Sequence, residues 1–552
     1  MEKRLSQIQH IVSELKGVSI EVPFSLDEHM NILGKVSVKI EELPDALEFD
    51  ITILPEYPLK RFTTEAISFS NVDFLEYGHV MGNRNICIHT SHHPVLKNKI
   101  KIDFDSLKRW IWKYYYKKEK DTHYEHLIMQ PSPFKDIHFS FLFTEVEYTF
   151  KKQEFGFFEY SKINDGTYFD KNILNHIVQN FRNPSNKIVV ESKWSNHIKQ
   201  VLRRNFGLYI FLKEPPVKSK KFIISNWADL EPFVNEEFHK FLYNVQKNNR
   251  KINGYPMPLL VGYNIPKKEV HWQVALLEIG NFPIESVKIK QKWGGQFVNE
   301  SITWGITRNC SYNYFFGRGK LNTQITESKI LIIGIGAIGS IVAKTLVKSG
   351  CTKVDIVDYD IKEPENVCRS EYSFFNGICN KTHELQNELI TTSPFVDIRI
   401  MDQNFFQANT KFFPNEDSIK TNLQEKLKEY DIVIDCSTDN DLLYVFNDCK
   451  IKKYINLSIT NEAKELVCSV EPKSYSWVMN QYENVLDNNL ENIHNPTGCW
   501  SPTFKASYND INVLVQYAIK HINTKMLNKE PLRNFVVNTN SEKGFTIKLN
   551  EF

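Results

Sequence analysis

The chain contains no CxxC pair, and its nine cysteines (Cys87, Cys310, Cys351, Cys368, Cys379, Cys436, Cys449, Cys468 and Cys499) are scattered without the spacing of a disulfide framework. Long apolar runs are also missing. Nothing approaches the roughly 18 residues that cross a bilayer, and the opening stretch MEKRLSQIQHIVSELKG is charged and amphipathic, without a signal-peptide core. Charge of one sign is lacking too: 68 Lys and Arg against 66 Asp and Glu leave +2, so no whole-protein field draws the chain to nucleic acid or anionic lipid. There are no internal repeats and no low-complexity tract. A disulfide-stapled scaffold, a membrane span and an electrostatic nucleic-acid binder therefore have no support, and a cytosolic protein is expected. Most of the cysteines read as small buried residues, leaving one or two as nucleophiles.

What is present fits a globular protein of several cores: 552 residues, 41% hydrophobic, 13% aromatic. Leu5, Ile8, Ile11, Val12 and Leu15 share one helical face, with Gly17 a stop beyond it. Alternating stretches VSIEVPF, KVSVKIEEL, LEFDITILP and ISFSN then predict an antiparallel meander, followed by a loop with Cys87 and a helix around Ser106–Tyr116. From about residue 149 to 322 short aromatic strands (IVVESKW, LYIFLKE, KFIISNW, VHWQVALLEI) predict an α+β middle domain without a chemical motif. The last third alternates strand and helix, which predicts a doubly wound parallel sheet. The fold class is thus multidomain α/β, with boundaries at 1–148, 149–322 and 323–552.

Gly334-Ile335-Gly336-Ala337-Ile338-Gly339 lies between the apolar strand KILII and the helical run SIVAKTLVKSG, the context that a phosphate-binding glycine loop needs. Asp358 closes the next strand, where a carboxylate accepts hydrogen bonds from a ribose diol. To this point an NAD-dependent dehydrogenase fits as well as an ATP enzyme. Downstream come Asp360, then Asn366-Val367-Cys368-Arg369, Lys381, and Asp435-Cys436-Ser437-Thr438-Asp439-Asn440 after another apolar strand.

Together these residues resemble the ThiF/MoeB/ubiquitin-activating superfamily of adenylating enzymes over about residues 315–550. The resemblance implies ATP and Mg2+ as cofactors. It gives Asp358 the ribose, Arg369 and Lys381 the triphosphate, and Asp439 the metal, with Gly334, Gly336, Gly339, Asp360 and Asn366 completing the nucleotide site. Arg318, in Tyr314-Phe315-Phe316-Gly317-Arg318-Gly319, corresponds to an upstream Arg that some members place on phosphates across a dimer. Two departures stand out: Ser370 replaces the usual Gln after the Arg, and the step from Gly377 to Lys381 is one residue longer than common. The zinc-binding CxxC pairs of the sulfur-transfer members are absent.

An adenylate is a good acyl donor and a thiolate its natural acceptor. Gly498-Cys499-Trp500-Ser501-Pro502-Thr503-Phe504 resembles the crossover segment that carries the acceptor Cys in activating enzymes. Residues 1–145 resemble a ubiquitin-conjugating domain, with Pro55-Glu56-Tyr57-Pro58 in a turn and Cys87 at the place of the active Cys. Its His-Pro-Asn triplet is not intact; His79 stands where the family has Asn. Cys87, His89, His92 and His93 also read as metal ligands, although their spacing fits no common finger.

Activating-like and conjugating-like parts in one chain resemble the fused enzymes of bacterial CBASS antiphage operons. That resemblance implies a homodimer through the adenylation domain. It also implies a protein substrate with a free C-terminus, a cGAS/DncV-like nucleotidyltransferase, joined to an amine on a target. A bacterial ubiquitin-like modifier system and a scaffold with an inactive conjugating domain are the alternatives.

Overall fold

The computed structural model describes residues 2–119, 129–200, 203–212, 214–218, 222–248, 255–265, 269–289, 292–402, 417–470, 474–485, 505–540 and 544–552. They divide into two compact units. The first comprises Met1–Phe143, Glu147–Glu191 and Arg204–Asn309; the second comprises Thr144–Val146, Ser192–Arg203 and Cys310–Phe552.

In the first unit α1 (Glu2–Ser13) precedes the meander β1 (Val18–Leu26), β2 (Ile32–Val38), β3 (Leu47–Ile53) and β4 (Ile67–Ser70), paired antiparallel in chain order as the alternation predicts. Gly17 takes φ +72, and a Cβ there would meet the Lys39 carbonyl oxygen at 2.8 Å, so the turn into β1 favours glycine. Helix α2 (Leu96–Trp110) starts ten residues before the expected place and continues into a wider turn over Ile111–Tyr116. Val95 stands at its N-cap without a side-chain cap bond, so the usual start signal is missing from the sequence. Ile8, Val36, Phe49, Phe69, Ile100 and Leu107 form the core beneath.

A further sheet of this unit holds β5 (Ile137–Phe143), β6 (Glu154–Tyr168), β7 (Lys171–Arg182), β8 (Ile188–Glu191), β9 (Arg204–Phe211), β10 (Met257–Ile265), β11 (Glu269–Leu277) and β12 (Ile306–Asn309). Its order is β11-β10-β9-β6-β7-β5-β12, with β8 beside β7. Strand β12 pairs in parallel with β5 from far along the chain, Ile306 opposite Ser140.

The second unit contains the doubly wound sheet: β13 (Lys329–Ile333), α3 (Ala337–Lys348), β14 (Lys353–Val357), α4 (Lys381–Thr392), β15 (Asp397–Ile400), β16 (Ile432–Asp435), α5 (Asn440–Asn447), β17 (Tyr454–Ile459), β18 (Glu465–Val470), α6 (Tyr508–Leu527), β19 (Phe535–Asn540) and β20 (Thr546–Glu551). The order β15-β14-β13-β16-β17 is parallel, and β18, β19 and β20 extend it antiparallel. Alternation along β13 fills both faces. Ile330 and Ile332 pack with Ile341, Leu385 and Leu514, while Leu331 and Ile333 pack with Leu427 and Phe446. Each such buried side chain contributes about 1.5–3 kcal/mol. The strand order reverses between β13 and β16, and open α/β sheets bind ligands outside the carboxyl ends of strands at such a switch.

Candidate functional site

Loops at the carboxyl ends of β13, β14 and β16 are linked by direct contacts. Gly334 has φ +71, and a Cβ there would fall 2.4 Å from Ser437 Cα, so only glycine lets the two loops touch. Gly339 is equally confined, its missing Cβ lying 2.0 Å from the Gly334 oxygen. Gly336 differs: it caps α3 without a side chain, and a Cβ there would meet nothing within 4 Å. The first-turn amides of α3 therefore have no side-chain cap and open space before them, the arrangement that suits an anion.

Asp358 ties this loop down. Its Oδ2 accepts from the Ile335 amide at 2.8 Å and its Oδ1 from the Asp360 amide at 2.9 Å. Burial pushes its carboxyl above the ordinary Asp range, although those backbone bonds and Lys381 work against the rise. Lys381 is buried at the start of α4 and pairs with Asp360, and its amide donates to the Asp360 oxygen at 3.3 Å. The D-x-D segment and Lys381 thus form one unit, closed by the bridges Ile361 to Asn380 and Lys362 to Cys379.

Between those bridges lies the segment with Asn366 and Arg369. Asn366 Oδ1 accepts from the Glu363 amide at 3.0 Å in a capping box of the short helix Pro364–Val367, and the Arg369 amide donates to the Asn366 oxygen at 3.4 Å. Ser370, the departure from Gln, donates its hydroxyl to the Asn366 carbonyl. The segment lies against the glycine loop through the Tyr372 hydroxyl, which donates to the Ile335 carbonyl, and through the Glu371 amide, 3.2 Å from Ser340 Oγ. Beneath it Lys362 and Glu384 form a buried ion pair at 2.6 Å. Burial favours a higher Glu384 pKa, but the bonds from Lys362, the Ser373 amide and Cys379 outweigh it and hold the carboxyl below its usual value.

Asp439 caps α5, its Oδ1 accepting from the amides of Asp441 and Leu442 at 3.0 and 3.1 Å. Its Oδ2 has no partner among the described residues, so a hard-oxygen ligand for Mg2+ fits there. The preceding Thr438 has φ +56, an outlier for a β-branched residue. Asp435 shapes the same loop: fully buried, it accepts from Ser437 Oγ (2.6 Å), the Tyr454 hydroxyl (2.7 Å) and Asn456 Nδ2 (3.2 Å). Burial raises its pKa. Sequence reasoning assigned no role to Asp435 or Tyr372, because Tyr454 and Asn456 come from another strand and Ile335 from the glycine loop.

Arg318 is exposed just beyond the helix Tyr312–Phe316, without an ion pair among the described residues. Cys499 lies outside the described residues. Cys87 belongs to the first unit. Its amide donates to the His79 carbonyl at 2.7 Å, its flanking residues Ile86 and Ile88 are buried, and its Sγ lies 3.4 Å from His89 Nε2. The structure therefore sets His79 opposite Cys87 on the chain, although the His79 ring packs on Tyr114 with centroids 4.5 Å apart. Among the described residues, Cys87 and the neighbouring histidines form no metal-binding group.

The ThiF family matches residues 308–482, and the Cap2 central linker domain matches residues 126–283. The ATP-dependent ubiquitin transferase-like protein Cap2 of Enterobacter hormaechei subsp. hoffmannii (strain UCI 50) is 24% identical over 377 residues, covering 62% of this chain and 60% of that protein. The adenylyltransferase and sulfurtransferase MOCS3 of Drosophila virilis is 26% identical over 126 residues, 23% of this chain and 25% of its own. The match thus spans about 60% of the length of the Cap2 relative. The crystal structure of E. coli MccB with ATP superposes with a TM-score of 0.29 at 19% identity, covering 41% of this chain and 64% of that one, too slight an overlap to carry weight. Residues 308–482 thus belong to the ThiF family, behind a domain of the Cap2 central linker kind.

Proposed function

We propose that the chain uses ATP to adenylate the C-terminal carboxylate of a partner protein, carries the acyl group as thioesters on Cys499 and then Cys87, and ligates it to an amine on a target. The observation that carries this reading is the contact chain at the switch point, running from Ser437 through the glycine loop to Asp358, Asp360 and Lys381. A carboxylate oxygen attacks the α-phosphorus and pyrophosphate departs, so cations must neutralise both nucleophile and leaving group. Lys381 and Arg369 serve there. Mg2+ held by Asp439 adds charge neutralisation when bound. A thiolate on Cys499 then displaces AMP, Cys87 accepts the acyl group by thioester exchange, and an amine releases it as an amide.

The family resemblance supports a cGAS/DncV-like nucleotidyltransferase as partner, in antiphage defence, and the exposed Arg318 supports a homodimer in which it reaches the other copy's phosphates. The reading is tested by ATP–pyrophosphate exchange and intact mass on the full chain with Mg2+ and such a nucleotidyltransferase. Partner-dependent exchange and a reducible adduct are expected. Exchange with a ubiquitin-like modifier instead would move the partner to the rival conjugation system, and NAD binding without ATP binding would overturn the reading.

A further inference from the structure

We infer that His89 is the proton acceptor for the Cys87 thiol and that a buried lysine, Lys99, positions it through Thr90; this rests on the reading of Cys87 as an acyl acceptor. Cys87 Sγ and His89 Nε2 are 3.4 Å apart, within reach of a sulfur hydrogen bond. The other histidines of the loop are differently placed. His93 Nδ1 accepts from the Val95 amide at 3.1 Å and its Nε2 meets Asn98 Nδ2 at 3.1 Å, while the His79 ring packs on Tyr114. His92 is exposed, with no contact to the thiol among the described residues.

No regular element runs from Cys87 to the start of α2, so a separate device must hold His89 in place. Thr90 supplies it. Its Oγ1 accepts from Lys99 Nζ at 2.6 Å and its amide lies 3.4 Å from Glu65 Oε1. Lys99 is 1% exposed and also reaches Asp103 at 2.5 Å and Glu65 at 3.1 Å, and Asp103 Oδ2 accepts from the Tyr57 hydroxyl at 2.7 Å. Lys60 completes the set, 2.8 Å from Glu65. A buried cation is tolerated only when its partners are fixed around it. This one fastens α2, the Glu65 turn and the residue after His89 to a single point. Among the described residues, Glu65 and Lys99 contact Thr90, and His79 meets Cys87 through its backbone carbonyl.

In the exchange step the Cys87 thiol gives its proton to His89 Nε2 as its sulfur bonds to the carbonyl carbon of the incoming thioester. The donor's carbon–sulfur bond breaks, and the departing sulfur leaves as a thiolate that takes the proton back from His89. No electrons change hands. A positioned base of this kind supplies about a hundredfold or more.

The test uses the full chain and a small acyl donor, a glycyl-peptide thioester of 2-mercaptoethanesulfonate, with acylation of the Cys87 peptide followed by mass spectrometry. His89→Ala should slow acylation about a hundredfold, and added imidazole should restore part of the rate in that variant without speeding the wild type. Thr90→Val should slow acylation, whereas Thr90→Ser, which keeps the hydroxyl, should not; acylation of the exposed Cys368 should be the same in all. Acylation of His89→Ala at the wild-type rate would overturn the base, and an unchanged Thr90→Val would overturn the tether. A Cys87 that takes the probe at a His89-dependent rate but never carries an ATP-driven acyl group would support the pair and overturn the relay.

Discussion

Asp439 caps α5 with one oxygen, and the proposed role of the other as a Mg2+ ligand is testable. Asn caps a helix as well as Asp does, whereas Ala loses about 1 kcal/mol. Asp439→Asn should therefore melt with the wild type while losing pyrophosphate exchange, and Asp439→Ala should lose both; full exchange in the Asn variant would remove Asp439 from the metal. Asp358 presents a similar question. A hydrogen bond to a charged group is worth about 1.5–3 kcal/mol, so the wild type should prefer ATP over 2′-deoxy-ATP or 3′-deoxy-ATP by about tenfold to a hundredfold. Asp358→Ala should lose most of that preference, as competition binding with the three nucleotides would show. Residues such as Asp358 and Asp439 are legible in sequence because their spacing follows the ends of apolar strands. Asp435 and Tyr372 are not, because what they do depends on a partner that only folding brings near.

The glycine loop separates two kinds of glycine within one element. Gly339→Ala should destabilise the second unit, since its Cβ would sit 2.0 Å from the Gly334 oxygen, whereas Gly336→Ala should fold and melt normally yet bind ATP weakly. Melting curves and nucleotide titration of the two variants decide it. In β7, His176 stacks on Phe141 with centroids 4.9 Å apart and its Nδ1 lies 3.1 Å from the Ser140 oxygen. Burial lowers its pKa from 6.5 to about 4. Between those values the unfolded chain binds a proton that the folded one refuses, so stability rises with pH there and is lost as pH falls from 6.5 towards 4, by roughly 3 kcal/mol. His176→Phe should flatten that dependence in melts of the full chain taken across the window. The pattern of β1 to β4 was legible because one face alternates. The start of α2 was not, because Val95 gives no capping signal, and the two-residue strand Phe222–Ile223 was read as a longer one because its run of apolar residues is local.

At the scale of the molecule the proposed relay should have an order. On that reading the adenylate forms on the glycine-loop unit, so Cys499→Ala should retain pyrophosphate exchange but lose both thioesters. Cys87→Ala should trap a reducible adduct on Cys499 and yield no amide, as non-reducing gels and intact mass would show. Loading of Cys87 at the wild-type rate in Cys499→Ala would mean direct attack on the adenylate. The pairing of β12 with β5 bears on something earlier in the protein's life, its synthesis. Ile306 meets Ser140 only after the whole intervening stretch has been made, and at about 5–20 residues per second that takes roughly 8–30 s. Until then one edge of β5 lacks the strand it will hold, and an unpaired edge is open to a strand from another nascent chain. Slow translation between residues 143 and 306 should therefore lower the yield of soluble protein more than an equal pause after residue 309.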